Sequence, residues 1–148
     1  MHKVVLDSTV LVSAFLAKAG VSAELLHKAK DGGFDMCLAE EILEEVQRAL
    51  LQYQKIRKRY HYTDQAVIQF VQNLRIVAHL ITGLPSIEVV NSDPNDNMVV
   101  ACALKAQADF IVTRDNDLLS LENYEGIKVV TPENFMGILR GDKHKPSF

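Results

Sequence analysis

The chain has 148 residues, of which 48% are hydrophobic and 24% are charged. This balance excludes a disordered or fibrous chain, and the length suits one domain with a sizeable core. The net charge of −3 excludes the overall basic character of many nucleic-acid-binding proteins, so a phosphate-bearing partner would have to meet a local basic patch or a metal ion. No stretch approaches the roughly 18 uninterrupted apolar residues of a membrane span, and we expect a cytoplasmic protein.

Short apolar strands alternate with amphipathic helices along the chain. This alternation predicts an α/β fold, with three layers in α/β/α order and a central parallel sheet of about five strands. Cys37 and Cys102 lie far apart in apolar stretches, so we expect both to be reduced packing residues. The predicted strands are "KVVLD" (3–7), "FDMCL" (34–38), "IEVV" (87–90), "DFIVT" (109–113) and "IKVV" (127–130).

Capping residues mark the ends of the predicted helices. Ser22 is expected to cap the helix "AELLHKAK", which Gly32 and Gly33 end. Thr63 or Asp64 caps a helix that reaches about Leu80.

The last helix begins after Thr131, with Pro132 in its first position. Gly141 ends the ordered part. We therefore expect a single domain over residues 1–141 and a frayed tail over 142–148.

Aspartates follow three of the predicted strands. Asp7 ends the first strand, Asp93 and Asp96 follow the third, and Asp115 and Asp117 follow the fourth. Ligands of parallel α/β sheets bind at the carboxyl ends of the strands, so we expect these acids to meet there. Carboxylates so close together repel each other unless a cation neutralises them. In the alternative interpretation, each aspartate only forms a turn or caps a helix.

The five histidines and both cysteines lie outside these loops. An all-oxygen set of ligands favours Mg²⁺ or Mn²⁺, as one or two ions, over zinc. A carboxylate-held ion of this kind can activate water and stabilise charge on a phosphoryl group, which predicts phosphodiester hydrolysis.

One further acid comes from the helix "AEEILEEVQRALLQYQ". Leu43, Val46, Leu50 and Tyr53 recur at helical spacing and predict its buried face. Glu45 lies nearest the border of this face, so it could point along the edge of the sheet. The alternative is an ordinary solvated glutamate.

Four motifs in order resemble the PIN domain, the metal-dependent ribonuclease domain of toxins of the VapC type. They are "DSTVLVSA" from Asp7, "EVQRAL" from Glu45, "DPNDNM" from Asp93 and "IVTRDNDLL" from residue 111. The resemblance implies that Asp7, Glu45, Asp96 and Asp115 are the metal-binding, catalytic acids.

The same resemblance gives supporting roles to neighbouring residues. Thr113 is expected to orient a metal-bound water, and Thr9 stands where the family usually has asparagine. Threonine lacks the amide donor, so the surroundings of Asp7 are expected to differ from those in the family. The full supporting set is Asp93, Asp117, Thr113, Ser8 and Thr9.

Two basic features are candidate contacts for substrate phosphates. "KIRKRYHY" contains Lys55, Arg57, Lys58 and Arg59 beside tyrosines, although it can equally be a solvated helix end. Arg114, between Thr113 and Asp115, is the better placed phosphate contact. In the alternative, its guanidinium pairs with a carboxylate of the site and is structural.

The leading hypothesis is a metal-dependent endoribonuclease, the toxin of a toxin-antitoxin pair. Hydrolysis would leave a 5′-phosphate and a 3′-hydroxyl. The resemblance further implies an RNA substrate, a cognate antitoxin protein and a homodimer or higher oligomer, with no membrane partner.

The alternatives are a weakly active or non-catalytic binding module of the same fold, a receiver-like signalling domain and a phosphatase of the haloacid dehalogenase type. A receiver would need paired acids after the first strand, and the phosphatase a second aspartate where Thr9 lies.

Overall fold

The computed structural model describes residues 1–90 and 93–143. In this part of the chain, one six-stranded sheet has the order β3-β2-β1-β4-β6-β5, parallel except for β5, which is antiparallel to β6. The strands are β1 (Lys3–Leu6), β2 (Asp35–Ala39), β3 (His79–Ile81), β4 (Phe110–Val112), β5 (Asn123–Tyr124) and β6 (Ile127–Val130). The helices are α1 (Ser8–Leu16), α2 (Val21–Lys30), α3 (Glu40–Gln52), α4 (Gln54–Arg59), α5 (Asp64–Val77), α6 (Pro94–Ala106), α7 (Asn116–Leu119) and α8 (Pro132–Lys143).

The two central strands are buried on both faces of the sheet. Val4, Val5 and Leu6 of β1 have no exposed surface, although successive side chains of a strand point to opposite faces. β4 is buried along its whole length in the same way. Helices therefore cover both faces, as in other parallel sheets, and the predicted α/β class is confirmed.

The prediction of a third strand at residues 87–90 was wrong. Residues 87–90 are irregular, because the side-chain oxygen of Asn97 accepts hydrogen bonds from the backbone N–H groups of Val89 and Val90, each at 2.8 Å. The third strand is instead His79–Ile81, which pairs with β2. The helix predicted to reach about Leu80 therefore ends at Val77.

Two other predictions about helices were also wrong. Gly20, not Ser22, caps α2, and the buried hydroxyl of Ser22 has no hydrogen-bond partner among the described residues. Tyr53, expected on the buried face of α3, follows the helix and is 47% exposed. The other members of that face are buried as predicted.

The expected caps of the later helices are present. Thr63 caps α5 through a bond from the Ala66 N–H, and Thr131 accepts one from the Asn134 N–H. α8 continues past Gly141 to Lys143. From residue 144 onward, the predicted tail lies outside the described residues. Both cysteines are buried and free, as expected.

In the described ranges, no single helix is long and apolar enough to cross a membrane. Only α1 and α2 together reach that length and composition, and the pair is bent by 101°.

Candidate active site

A cavity of about 160 Å³ opens at the carboxyl ends of the central strands. The parallel register brings Leu6 of β1 beside Val112 of β4, so the residues after these strands become neighbours. α3 begins directly after β2, which adds a helix to the same edge. The polar residues that line the cavity are Asp7, Ser8, Thr9, Glu45, Asp93, Asn95, Asp96 and Asp115.

Asp7 lies at the base of this cavity and is only 2% exposed. One carboxylate oxygen accepts hydrogen bonds from the Thr9 hydroxyl at 2.5 Å and from the Val10 N–H at 3.2 Å. The bond from Val10 makes Asp7 the N-cap of α1. The other oxygen accepts a bond from the buried Thr113 hydroxyl at 2.5 Å. Burial raises the pKa of Asp7, although these bonds partly offset the effect. The carboxylate is therefore held in a fixed orientation.

Thr113 connects two of the acids. Its hydroxyl donates to Asp7 and accepts a bond from the Asp115 N–H at 2.9 Å. Thr9 makes a similar link, because its hydroxyl also accepts from the Arg114 N–H at 3.3 Å. A threonine at position 9 thus ties the end of β1 to the loop after β4.

Asp93 and Asp115 each cap a helix and face the cavity. One oxygen of Asp93 accepts bonds from the N–H groups of Asn95 and Asp96 at the start of α6. Asp115 does the same for α7, through the N–H groups of Asp117 and Leu118. Both residues therefore cap helices, as the alternative interpretation expected, and in each case the capping bonds go to a single carboxylate oxygen.

Asp96 is a second buried acid of the site, and its surroundings disfavour the charged form. It is 5% exposed, and its Oδ2 is buried without a hydrogen-bond partner among the described residues. Burial, followed by the charges of Asp115 and Asp93, raises the pKa of Asp96 from 3.8 to about 7. An ionised carboxylate at this position is costly unless a positive charge balances it.

Glu45 reaches the same cavity from α3 and is 8% exposed. Its Oε2 accepts a hydrogen bond from the Arg48 guanidinium at 2.5 Å, and its Oε1 accepts one from the Tyr53 hydroxyl at 3.2 Å. The charge of Glu45 raises the pKa of Tyr53, so the phenol remains a donor. Sequence reasoning missed both partners, although the three-residue spacing of Glu45 and Arg48 is a known helical ion-pair spacing.

Sequence reasoning also missed Asn97, which is 7% exposed. By holding the backbone of residues 89 and 90, it fixes the segment that leads into α6. Its position in the first turn of a helix, directly after Asp96, was the available signal.

Some predicted residues do not come to the cavity. Asp117 is exposed and contributes its backbone N–H to Asp115. Arg114 forms a two-point ion pair with Glu133 of α8, at 3.2 and 2.8 Å, and thereby lowers the pKa of Glu133.

Arg57 has a structural position in the basic segment. Its guanidinium bonds to Asp64 at 2.7 Å and to the Tyr62 carbonyl at 3.1 Å, and it stacks on the Tyr62 ring. The remaining basic residues of this segment, Lys55, Lys58 and Arg59, are exposed and do not line the cavity.

The acids fit a hard divalent cation. Among the described residues, Asp93, Asp96 and Asp115 form the one group of three or more possible ligands in which one oxygen from each residue lies within 4.8 Å of the others. The unpartnered Oδ2 of Asp96 and the carboxylate-only chemistry suit Mg²⁺ or Mn²⁺. Asp96 and Asp115, which were expected as ligands, belong to this group together with Asp93, which was expected as a supporting residue. Asp7 and Glu45 line the same cavity, and their role as ligands stays a prediction.

The chain is similar to one known protein family and to solved structures. A family model described as the PIN domain matches residues 3–117. The crystal structure of PAE2754 from Pyrobaculum aerophilum is similar with a TM-score of 0.63 and 14% identity, over 95% of this chain and 90% of that chain. The T. brucei RRP44 PIN domain has a TM-score of 0.49 and 15% identity, over 96% and 82% of the two chains. No curated protein matches the sequence.

Proposed function

Because the chain belongs to the PIN domain family, which is generally a metal-dependent nuclease fold, we propose that it is an endoribonuclease dependent on Mg²⁺ or Mn²⁺. The observation that carries this proposal is the buried Asp96 carboxylate, with its unpartnered oxygen and its raised pKa. A scaffold used only for binding would gain nothing from the repulsion between Asp96 and its acidic neighbours.

The proposed ligands are Asp7, Glu45, Asp96 and Asp115, with Asp93 beside them. A bound divalent cation would lower the pKa of a water molecule and offset the charge of the phosphoryl group. The chain's own contribution is rigid placement. Thr9 and Thr113 orient the Asp7 carboxylate, and the helix caps fix Asp93 and Asp115.

The proposed reaction is hydrolysis of an RNA phosphodiester by water, leaving a 5′-phosphate and a 3′-hydroxyl. Exposed Lys55, Lys58 and Arg59 are the proposed contacts for the RNA backbone. Arg57 and Arg114 are less suited to this role, because carboxylates of the same chain hold their guanidinium groups.

We further propose that the protein is the toxin of a toxin-antitoxin pair and acts in the cytoplasm as a homodimer or higher oligomer. These finer proposals come from the resemblance to VapC-type toxins. The family match leaves no support for the receiver or dehalogenase alternatives.

The decisive experiment is cleavage of a mixed RNA pool in Mg²⁺, in Mn²⁺ and in EDTA, with sequencing of the product ends. Wild type should cut only with metal, and Asp96→Asn should lose the cuts. Asp31→Asn makes the same chemical change at an exposed turn after α2 and is the matched control. If folded Asp96→Asn still cuts as wild type does, the site is wrong. If neither wild type nor any variant cleaves RNA but the wild-type protein binds Mn²⁺, the non-catalytic binding module is favoured.

A further inference from the structure

The carboxylate of Glu45 is held by two side chains of its own chain, as that of Asp7 is, but one of the partners of Glu45 is a cation. Each of its oxygens accepts a hydrogen bond from a side chain, one from Arg48 at 2.5 Å and one from Tyr53 at 3.2 Å. Arg48 lies three residues further along α3, and its side chain is 50% exposed. Glu45 is therefore the one cavity acid, among the described residues, that forms an ion pair with an arginine.

The same carboxylate lies outside the compact group of acids. Asp93, Asp96 and Asp115 have oxygens within 4.8 Å of one another, and Glu45 is absent from this group although it lines the same cavity. Asp96, in contrast, has a buried oxygen with no partner in the described chain. The cavity thus contains one acid, Glu45, that is paired with a cation of its own chain, and another, Asp96, with a buried oxygen that has no hydrogen-bond partner in the described chain.

We propose that Arg48 and Tyr53 form a latch that holds the Glu45 carboxylate away from the acidic group, so that Glu45 joins the ligands of a cation only when the latch opens. This inference rests on the proposed metal site. Arg48 and Tyr53 are positioning residues, because they act through Glu45. The guanidinium and a divalent cation compete for the same carboxylate, so the latch weakens cation binding while it is closed.

Both donors are built into α3 and the residue that follows it. The spacing of Glu45 and Arg48 keeps their side chains adjacent on one helix face. Tyr53 adds a neutral donor from the end of the helix. Since Arg48 lies at the exposed rim, a phosphate of an incoming strand can attract its guanidinium and release Glu45. Substrate arrival would then favour completion of the metal site.

The test is calorimetric titration of Mn²⁺ into the wild-type protein, Tyr53→Phe and Arg48→Gln. Tyr53→Phe removes one hydrogen bond without a change of charge. Loss of one such bond should tighten Mn²⁺ binding by about fivefold, and Arg48→Gln should tighten it by at least as much. Thermal unfolding of each variant shows that the fold is retained.

Two controls separate the latch from general electrostatics. Arg114→Gln removes one positive charge beside Asp115 without touching Glu45, so it should tighten Mn²⁺ binding less than Arg48→Gln does. In a Glu45→Gln background, Tyr53→Phe should have no effect on Mn²⁺ affinity, because the latch acts only through Glu45.

Three results would count against the latch. Weaker or unchanged Mn²⁺ binding by Tyr53→Phe, with wild-type binding intact, overturns the latch and leaves the proposed function standing. Persistence of the Tyr53→Phe effect in the Glu45→Gln background also overturns it. A wild-type protein that binds no Mn²⁺ overturns the metal site, and the latch with it.

Discussion

Asp96→Asn is expected to stabilise the metal-free protein while it removes metal binding. Asparagine has nearly the same shape as aspartate but carries no charge, so the substitution removes the cost of burying a charge and the repulsion from Asp115 and Asp93. The Asp96 pKa is raised from 3.8 to about 7, which means that the fold favours the protonated acid. This contribution to stability is fully present below about pH 4 and is lost as the pH rises to about 7.

The magnitude follows from the size of the shift. One pKa unit corresponds to about 1.4 kcal/mol, so the ionised carboxylate costs the metal-free fold up to about 4 kcal/mol at pH 8. At pH 5 the same linkage gives about 2 kcal/mol. The free energy of unfolding should therefore be higher for Asp96→Asn than for wild type, and the difference should be larger at pH 8 than at pH 5.

Denaturant unfolding in EDTA at pH 5 and pH 8, followed by circular dichroism, measures both differences. Asp31→Asn, on the surface, should change neither value. Adding Mn²⁺ at pH 8 should stabilise wild type by mass action and leave Asp96→Asn unchanged. An Asp96→Asn protein that is no more stable than wild type at pH 8, or a difference that fails to shrink at pH 5, would refute the reasoning.

Four further substitutions test the surroundings of the acids and the basic segment. Thr113→Val keeps the buried shape but removes the donor to Asp7, so it should cost about 1–3 kcal/mol in denaturant unfolding and weaken Mn²⁺ binding in calorimetry. Asn97→Ala should cost a similar amount, about 1–3 kcal/mol, and speed hydrogen exchange of the two backbone N–H groups that it holds. Arg57→Ala should lower the unfolding temperature because it loses its carboxylate and carbonyl partners. Lys58→Ala, which is exposed, should leave that temperature unchanged and only weaken RNA binding in a filter assay.

The central strands β1 and β4 could be predicted from the sequence because they are short, apolar and buried on both faces. The segment "IEVV" carried the same signal and was misread, since local pattern cannot show that Asn97 occupies its backbone donors. The edge strand His79–Ile81 was missed for the opposite reason. It is mostly exposed, and its pairing with β2 depends on contacts distant in the chain.

The convergence of the acids was predictable in part. Asp7 and Asp115 follow the ends of β1 and β4, and neighbouring parallel strands place those ends on one edge. Asp96 reaches the same cavity from the first turn of α6 and not from the predicted strand. The roles of these residues stay predictions until metal binding and cleavage are measured. Asp117 was assigned by the family resemblance and Arg114 by its position beside Asp115. In the structure, Asp117 is exposed and the guanidinium of Arg114 pairs with Glu133.

The sequence by itself determined the α/β class, the family and the acids that gather at one edge, because these depend on local pattern and on motifs. Only the tertiary structure decided how each carboxylate is satisfied. Asp7 is held by two hydroxyl groups, Glu45 by an arginine and a tyrosine, and Asp96 retains a buried oxygen with no partner in the described chain. The bond between Thr113 and Asp7 joins residues far apart in the chain, and the burial of all three acids comes from packing that exists only once the chain has folded.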